Sequence, residues 1–185
     1  IEVLIRARYP ILYIVSWEEQ RVQDWLVEVA KKRNKKVFEW SYSTGVIPAG
    51  TSIQSQRTRV SATKDPLNAL EHVIDQVEPA IYVFKDMHPF LTRNNFAVIR
   101  RLKEIAVHLK NSYKTVILVS PMLELPPDLE KEVTVIDFPL PGVPELSSLL
   151  DRILEEVKDQ PKIMVEISPE GREHLLKAAL GLTLS

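Results

Sequence analysis

The sequence predicts an α/β fold, a five-stranded parallel sheet with helices on both faces, and three observations carry that reading. Short apolar runs at residues 11–15, 36–40, 80–84, 115–120 and 133–138 are rich in β-branched and aromatic side chains. Segments between them repeat apolar residues at helical spacing, as in Val22, Trp25, Leu26 and Val29. The third run, Ile81-Tyr82-Val83-Phe84, is apolar without alternation and bounded by Pro79 and Pro89, as expected of a strand covered on both sides. In open α/β sheets, groups just beyond a strand's carboxyl end face the ligand crevice. Lys85, Asp86 and His88 stand there, so they are the first candidate site residues.

Composition narrows the class. With 185 residues, there is enough chain for one well-buried domain of about 150 residues plus an appendage. A formal charge of −1 argues against a dominant nucleic-acid surface. There is no cysteine, which excludes disulfides and thiolate metal sites. No apolar run reaches the roughly 18 residues of a membrane span, and no signal peptide is visible. The helical pattern running to the last residue reads as part of a longer protein.

Taken in order, residues 1–8 read as a short helix with Val3, Leu4 and Ala7 on one side, stopped by Pro10. Ser16 opens a helix to about Arg33, and Ser16 with Glu19 has the spacing of a capping box. Residues 41–64 carry no period, no acid and three bases, Arg57, Arg59 and Lys64. Such a segment reads as a loop. Asp65-Pro66 starts the next helix as N-cap and first-turn proline, with Leu67, Leu70, Val73, Ile74 and Val77 buried. A helix over 94–109 turns Phe96, Ile99, Leu102, Ile105 and Leu109 inward and Arg100, Arg101, Lys103 and Lys110 outward. A short helical turn is expected near 128–131. Pro139, Pro141 and Gly142 break the chain before an amphipathic helix over 144–157. An extended piece at 163–167 precedes a final helix capped by Ser168-Pro169.

Strand–helix alternation suits a nucleotide-binding sheet, and a phosphate loop is the test. That loop needs glycines for close backbone approach and a lysine for the phosphates, between the first strand and its helix. Here the junction reads Ile-Val-Ser-Trp-Glu-Glu-Gln-Arg, with neither. Glu18 and Glu19 in the first helical turn would each repel a phosphate about 5 Å away by roughly 3 kcal/mol at an effective dielectric near 20. Gly45-Val-Ile-Pro-Ala-Gly50-Thr51-Ser52 has the glycine spacing of a phosphate loop but follows the second strand, with Thr51 where lysine belongs. It reads as a chance match. A catalytic third strand ends in two acids; this one ends in Lys85 and Asp86. They read as a structural ion pair or a cap on the following turn, with anion binding by Lys85 and catalysis by Asp86 as the alternatives. His88 has no companion at metal-ligand spacing, and His72, His108 and His174 are scattered on helices. The basic residues of the 94–109 helix and Arg57 and Arg59 form a candidate partner surface.

The order of pieces resembles the AAA-type ATPases. Ile-Tyr-Val-Phe-Lys-Asp-Met-His-Pro-Phe stands where their magnesium-binding strand would be. Residues 115–146 are similar to their sensor strand, short helix, last strand and Pro-Leu-Pro turn, with Ser120 at the usual asparagine sensor position. The final nineteen residues look like the start of the helical lid. The stretches YPILYIVSWEE, DPLNALEHVI, IYVFKDMHPFL, KTVILVSP and LEKEVTVIDFPLP resemble one branch more closely. This is the AAA ATPases of cyanobacteria and algal plastids known from the forty-sixth hypothetical chloroplast reading frame. The resemblance implies RecA-type strand order, a degenerate AAA-like domain over 1–142, and a linker helix with partial lid over 143–185. It implies no catalytic residue, metal or cofactor in this stretch. ATP and Mg²⁺ would belong to the parent, an ATPase whose competent module lies downstream on the same chain. A homo-oligomeric ring, an unidentified protein partner and a cytoplasmic or stromal location complete the expectation. The function expected is non-catalytic partner recognition or ring assembly, with a sensor for an anionic metabolite or nucleotide as the alternative.

Overall fold

All five apolar runs become strands, and a sixth strand joins them. The computed structural model describes residues 1–51, 61–158 and 167–184. The strands are β1 (Ile11–Val15), β2 (Lys36–Ser41), β3 (Gly45–Pro48), β4 (Ala80–Lys85), β5 (Thr115–Ser120) and β6 (Val133–Asp137). They form one sheet in the order β3-β2-β4-β5-β1-β6. Pairing is parallel throughout except at β3, which runs antiparallel to β2 with Trp40 opposite Val46.

The extra strand corrects the expectation of an irregular 41–64 loop. A turn closed by Ser41 Oγ, which lies 3.0 Å from Ser43 Oγ and 2.8 Å from Thr44 Oγ1, sends the chain back along β2. Gly45 at φ +74° supplies the left-handed step this turn needs. Four residues are too few to display a two-residue period, so the strand is invisible to pattern reading. The strand also disposes of Gly45–Gly50 as a phosphate loop. Residues 52–60, and with them Arg57 and Arg59, lie outside the described residues.

Helices α1 (Glu2–Arg6) and α2 (Glu19–Lys31) cover one face, where Leu12, Ile14, Ile81, Val83, Ile117 and Val119 meet Val22, Leu26 and Val29. Helices α3 (Pro66–Asp75) and α4 (Phe96–Leu109) cover the other, where Ile11, Tyr13, Tyr82, Phe84, Val116 and Leu118 meet Leu70, Val73, Leu102 and Ile105. Successive strand residues thus alternate between two buried faces, which is why the runs look continuously apolar.

Several local expectations need correction. Helix α2 starts at Glu19 with Glu18 at its N-cap and no side-chain cap, so the capping box does not form. Instead Ser16 Oγ accepts from the Glu18 amide at 3.0 Å. In α1 the buried residue is Ile5, while Val3 and Ala7 are exposed. Val77 lies beyond the end of α3 and is exposed, and Phe96, at the first turn of α4, points to solvent. The short turn expected at 128–131 is a 3₁₀ turn over Pro127–Leu129. The Asp65 cap forms as expected, accepting from the amides of Leu67 and Asn68 at 2.9 and 3.2 Å.

The end of α3 is held by Lys114, the residue just before β5. Buried Lys114 donates to the carbonyls of Val73, Ile74 and Gln76 at 2.7, 3.0 and 2.6 Å. The last carbonyls of a helix lack intrahelical donors and carry partial negative charge, so an ammonium satisfies both needs. Lys114→Met is expected to lower unfolding free energy by about 2 kcal/mol, read from urea denaturation. A change under a few tenths would show that water replaces the ammonium.

The chain divides after Phe138 into two compact units. In the second, α5 (Val143–Lys158) and α6 (Pro169–Ala179) are tied by Arg172, which reaches Ser147 Oγ at 2.6 Å and Asp151 at 2.7 Å. Ser168 caps α6 by accepting from the Gly171 amide at 3.0 Å. Of the extended piece expected at 163–167, all but Ile167 lies outside the described residues.

Candidate functional site

Strand parity decides where Lys85 points. Ile81 and Val83 face α2, so Lys85, two residues on, faces it as well. Glu39 of β2 is in register with Val83 and shares that face. Glu19 begins α2 directly above. The Lys85 ammonium consequently sits between two carboxylates, 2.9 Å from Glu19 and 2.9 Å from Glu39. The pair expected with Asp86 does not form; Lys85 is paired across elements instead. Burial alone would lower the Lys85 pKa, but Glu39 and Glu19 outweigh it and hold it above the ordinary lysine value.

Asp86 takes no part in that clamp. Its backbone adopts φ +50°, a left-handed conformation that Asp tolerates better than most residues, and its amide donates to the Val119 carbonyl at 3.0 Å. Its carboxylate is mostly exposed and lies 3.9 Å from His88 Nδ1. Ser120, at the end of β5, is buried; its carbonyl accepts from the Ser16 amide at 3.0 Å, and its hydroxyl finds no partner among the described residues. Thus the structure groups Lys85 and Asp86 around one cleft and sets Ser120 at the β1–β5 edge.

The cleft opens over the carboxyl ends of β2 and β4 beside the start of α2, with a volume of about 550 Å³. Glu19, Gln23, Glu39, Trp40, Lys85 and Asp86 are among its walls. Next to it, at the N-cap of α2, Glu18 is buried and paired with Arg21 at 2.5 Å. The position where a phosphate loop would present backbone amides therefore carries carboxylates already matched to the chain's own cations.

The outer face of α4 is mixed in charge. Arg100 pairs with Glu104 at 2.9 Å, Arg101 with Glu71 at 2.7 Å and Glu104 at 3.1 Å, and Lys103 with Asp128 at 3.2 Å. Sequence reasoning counted the bases and missed the acids that answer them, two of which come from outside the helix. It also missed Glu39 and Gln23. Glu39 had a signal, a lone acid inside an apolar strand; Gln23 had none.

Comparison with known proteins places this architecture. Residues 1–138 match the model of the SpoVK-like AAA ATPase N-terminal domain. The chain belongs to that family. An uncharacterised AAA domain-containing protein ycf46 from Guillardia theta is 30% identical over 187 residues, covering 99% of this chain and 34% of the relative. The ycf46 protein of Trieres chinensis is 30% identical over 185 residues, covering 98% and 34%. The chain thus spans about a third of the length of these relatives. Among solved structures, the FIGL-1 AAA domain in complex with ADP superposes with a TM-score of 0.60 at 12% identity, covering 96% of this chain and 56% of that one. Replication initiator DnaA bound to AMPPCP and single-stranded DNA gives 0.51 at 13%, covering 95% and 53%. Identities this low establish the fold alone. This chain therefore shares the fold of those AAA structures, and its β1–α2 junction is Ser16-Trp17-Glu18.

Proposed function

We propose that this domain is a non-catalytic recognition or assembly module of an AAA ATPase, with ATP hydrolysis supplied by a domain downstream on the same chain. The observation that supports it is the clamp of Glu19 and Glu39 on Lys85, beside buried Glu18. A nucleotide phosphate at the start of α2 would face Glu18 and Glu19, at up to roughly 3 kcal/mol for each bare charge pair near 5 Å, a cost that their pairing with Arg21 and Lys85 reduces. It would also find Lys85 already neutralised. The same clamp weighs against an anion sensor built on Lys85. Relatives about three times as long leave room for a competent module, to which ATP and Mg²⁺ belong. Family membership supports assembly of the parent as a homo-oligomer, and the plastid relatives support a cytoplasmic or stromal location. Among the described residues no helix is long and apolar enough to cross a membrane.

Calorimetric titration of the 185-residue chain with ATP and ADP, with and without Mg²⁺, tests the reading. No saturable heat at millimolar nucleotide is expected. Saturable binding lost in Lys85→Ala would overturn it and make the domain a nucleotide sensor.

A further inference from the structure

The unsatisfied groups of the cleft over β2 and β4 are of one kind. Glu19, Glu39 and Asp86 oppose the ammonium of Lys85, leaving the walls two charges negative. Gln23, from the second turn of α2, is 3% exposed and lines the cleft, and its amide oxygen has no partner among the described residues. Thr44 and Thr51 spend their hydroxyl hydrogens on the carbonyls of Gly45 and Pro48, at 3.1 and 2.6 Å, which leaves acceptor capacity on both oxygens even with Ser41 Oγ 2.8 Å from that of Thr44. Carboxylates, an amide oxygen and hydroxyl lone pairs all accept. The one charged donor among the lining residues, Lys85, is already spent on two carboxylates.

An acceptor-rich, electronegative wall selects a ligand that only donates. Ammonium and guanidinium groups are the donor-only groups of biological chemistry. A bare metal ion fits less well, because among the described residues no three acidic or histidine side chains converge closely enough to ligate one. The volume is in the range of small-molecule sites, roughly 300–1,000 Å³.

We propose that this cleft binds a small organic cation bearing a guanidinium or primary ammonium group, held by Asp86 and Glu39 with the Gln23 amide oxygen as the buried acceptor. The inference rests on the reading that no nucleotide occupies this edge of the sheet. It adds a ligand class to that reading. A free diamine and an arginine side chain on a protein share the required chemistry.

The test is calorimetry of the 185-residue chain with agmatine and with Nα-acetyl-arginine-amide, glutamate serving as the anionic control. Saturable binding of at least one cation, and none of glutamate, is expected. Asp86→Asn should weaken it about tenfold, in line with loss of one charge contact. Asparagine tolerates the left-handed backbone at this position, so that variant keeps the fold. Gln23→Leu should weaken binding as well. Glu28→Gln, which removes an exposed carboxylate outside the cleft, should leave it unchanged. Preference for agmatine identifies a free amine as the ligand; equal or stronger binding of the arginine derivative identifies a side chain. No saturable binding of either cation, or equal weakening by Asp86→Asn and Glu28→Gln, overturns the proposal. A nucleotide titration in the same buffer separates the cases. Silence to both nucleotide and cation removes only this inference, whereas nucleotide binding removes the reading beneath it.

Discussion

Lys85→Met is expected to destabilise the fold by about 3 kcal/mol, a value typical of removing one partner from a buried ion pair. The variant leaves the Glu39 carboxylate, only 11% exposed, without its counter-ion. Glu19 is half exposed and can turn to water, so the cost is concentrated on Glu39. Removing both charges should recover most of the loss, because a neutral pair of similar shape has no desolvation cost. Chemical denaturation of wild type, Lys85→Met, Glu39→Gln and the double variant measures the coupling. If the double variant were no more stable than Lys85→Met, the clamp would be a consequence of the fold and not a support for it. The pH dependence provides a second readout. The Lys85 pKa is raised in the folded chain, so its stabilisation is complete below the unfolded value of 10.5 and is lost as pH rises through the higher folded value. The stability gap between wild type and Lys85→Met should accordingly narrow above pH 10.5.

Trp40→Ala is expected to cost about 4 kcal/mol, in the range for emptying a large aromatic site. Trp40 is fully buried, 5.2 Å from the Phe84 ring and 6.2 Å from the Phe90 ring between centroids. Its indole N–H donates to the Thr63 carbonyl at 2.7 Å. One side chain therefore joins the carboxyl ends of β2 and β4 to the segment that leads back into α3. Trp40→Phe retains most of the ring packing and loses the hydrogen bond, for about 1–2 kcal/mol. The alanine variant should also speed hydrogen exchange at the Val46 amide, which donates to Thr63 Oγ1 at 2.8 Å. A loss below 1 kcal/mol, or unchanged exchange at Val46, would show that the aromatic cluster closes over the gap.

Much of the frame is legible in the sequence. The apolar runs at β1, β4 and β5 were readable because burial on both faces removes polar residues from the middle of a strand. Asp65-Pro66 and Ser168-Pro169 marked helix starts because an oxygen side chain followed by proline suits an N-terminus with unpaired amides. Strand β3 was missed, being four residues long and dependent on its pairing with β2. Ser16 and Glu19 had capping-box spacing, yet Ser16 serves the turn before the helix. Spacing along the chain cannot separate these outcomes, since both satisfy a backbone amide.

The candidate site divides along the same line. The sequence alone determined that the β1–α2 junction has no glycine or lysine, that β4 runs out into Lys85 and Asp86, and that the alternation belongs to a parallel sheet. Those are matters of residue identity and period. Only the tertiary structure decided the partners of Lys85, because Glu19 lies 66 positions earlier and Glu39 46 positions earlier in the chain. They meet through a register that sets Glu39 beside Val83 and through a helix packed over that face. Charge pairing across elements depends on distances near 3 Å, and linear sequence carries no such length.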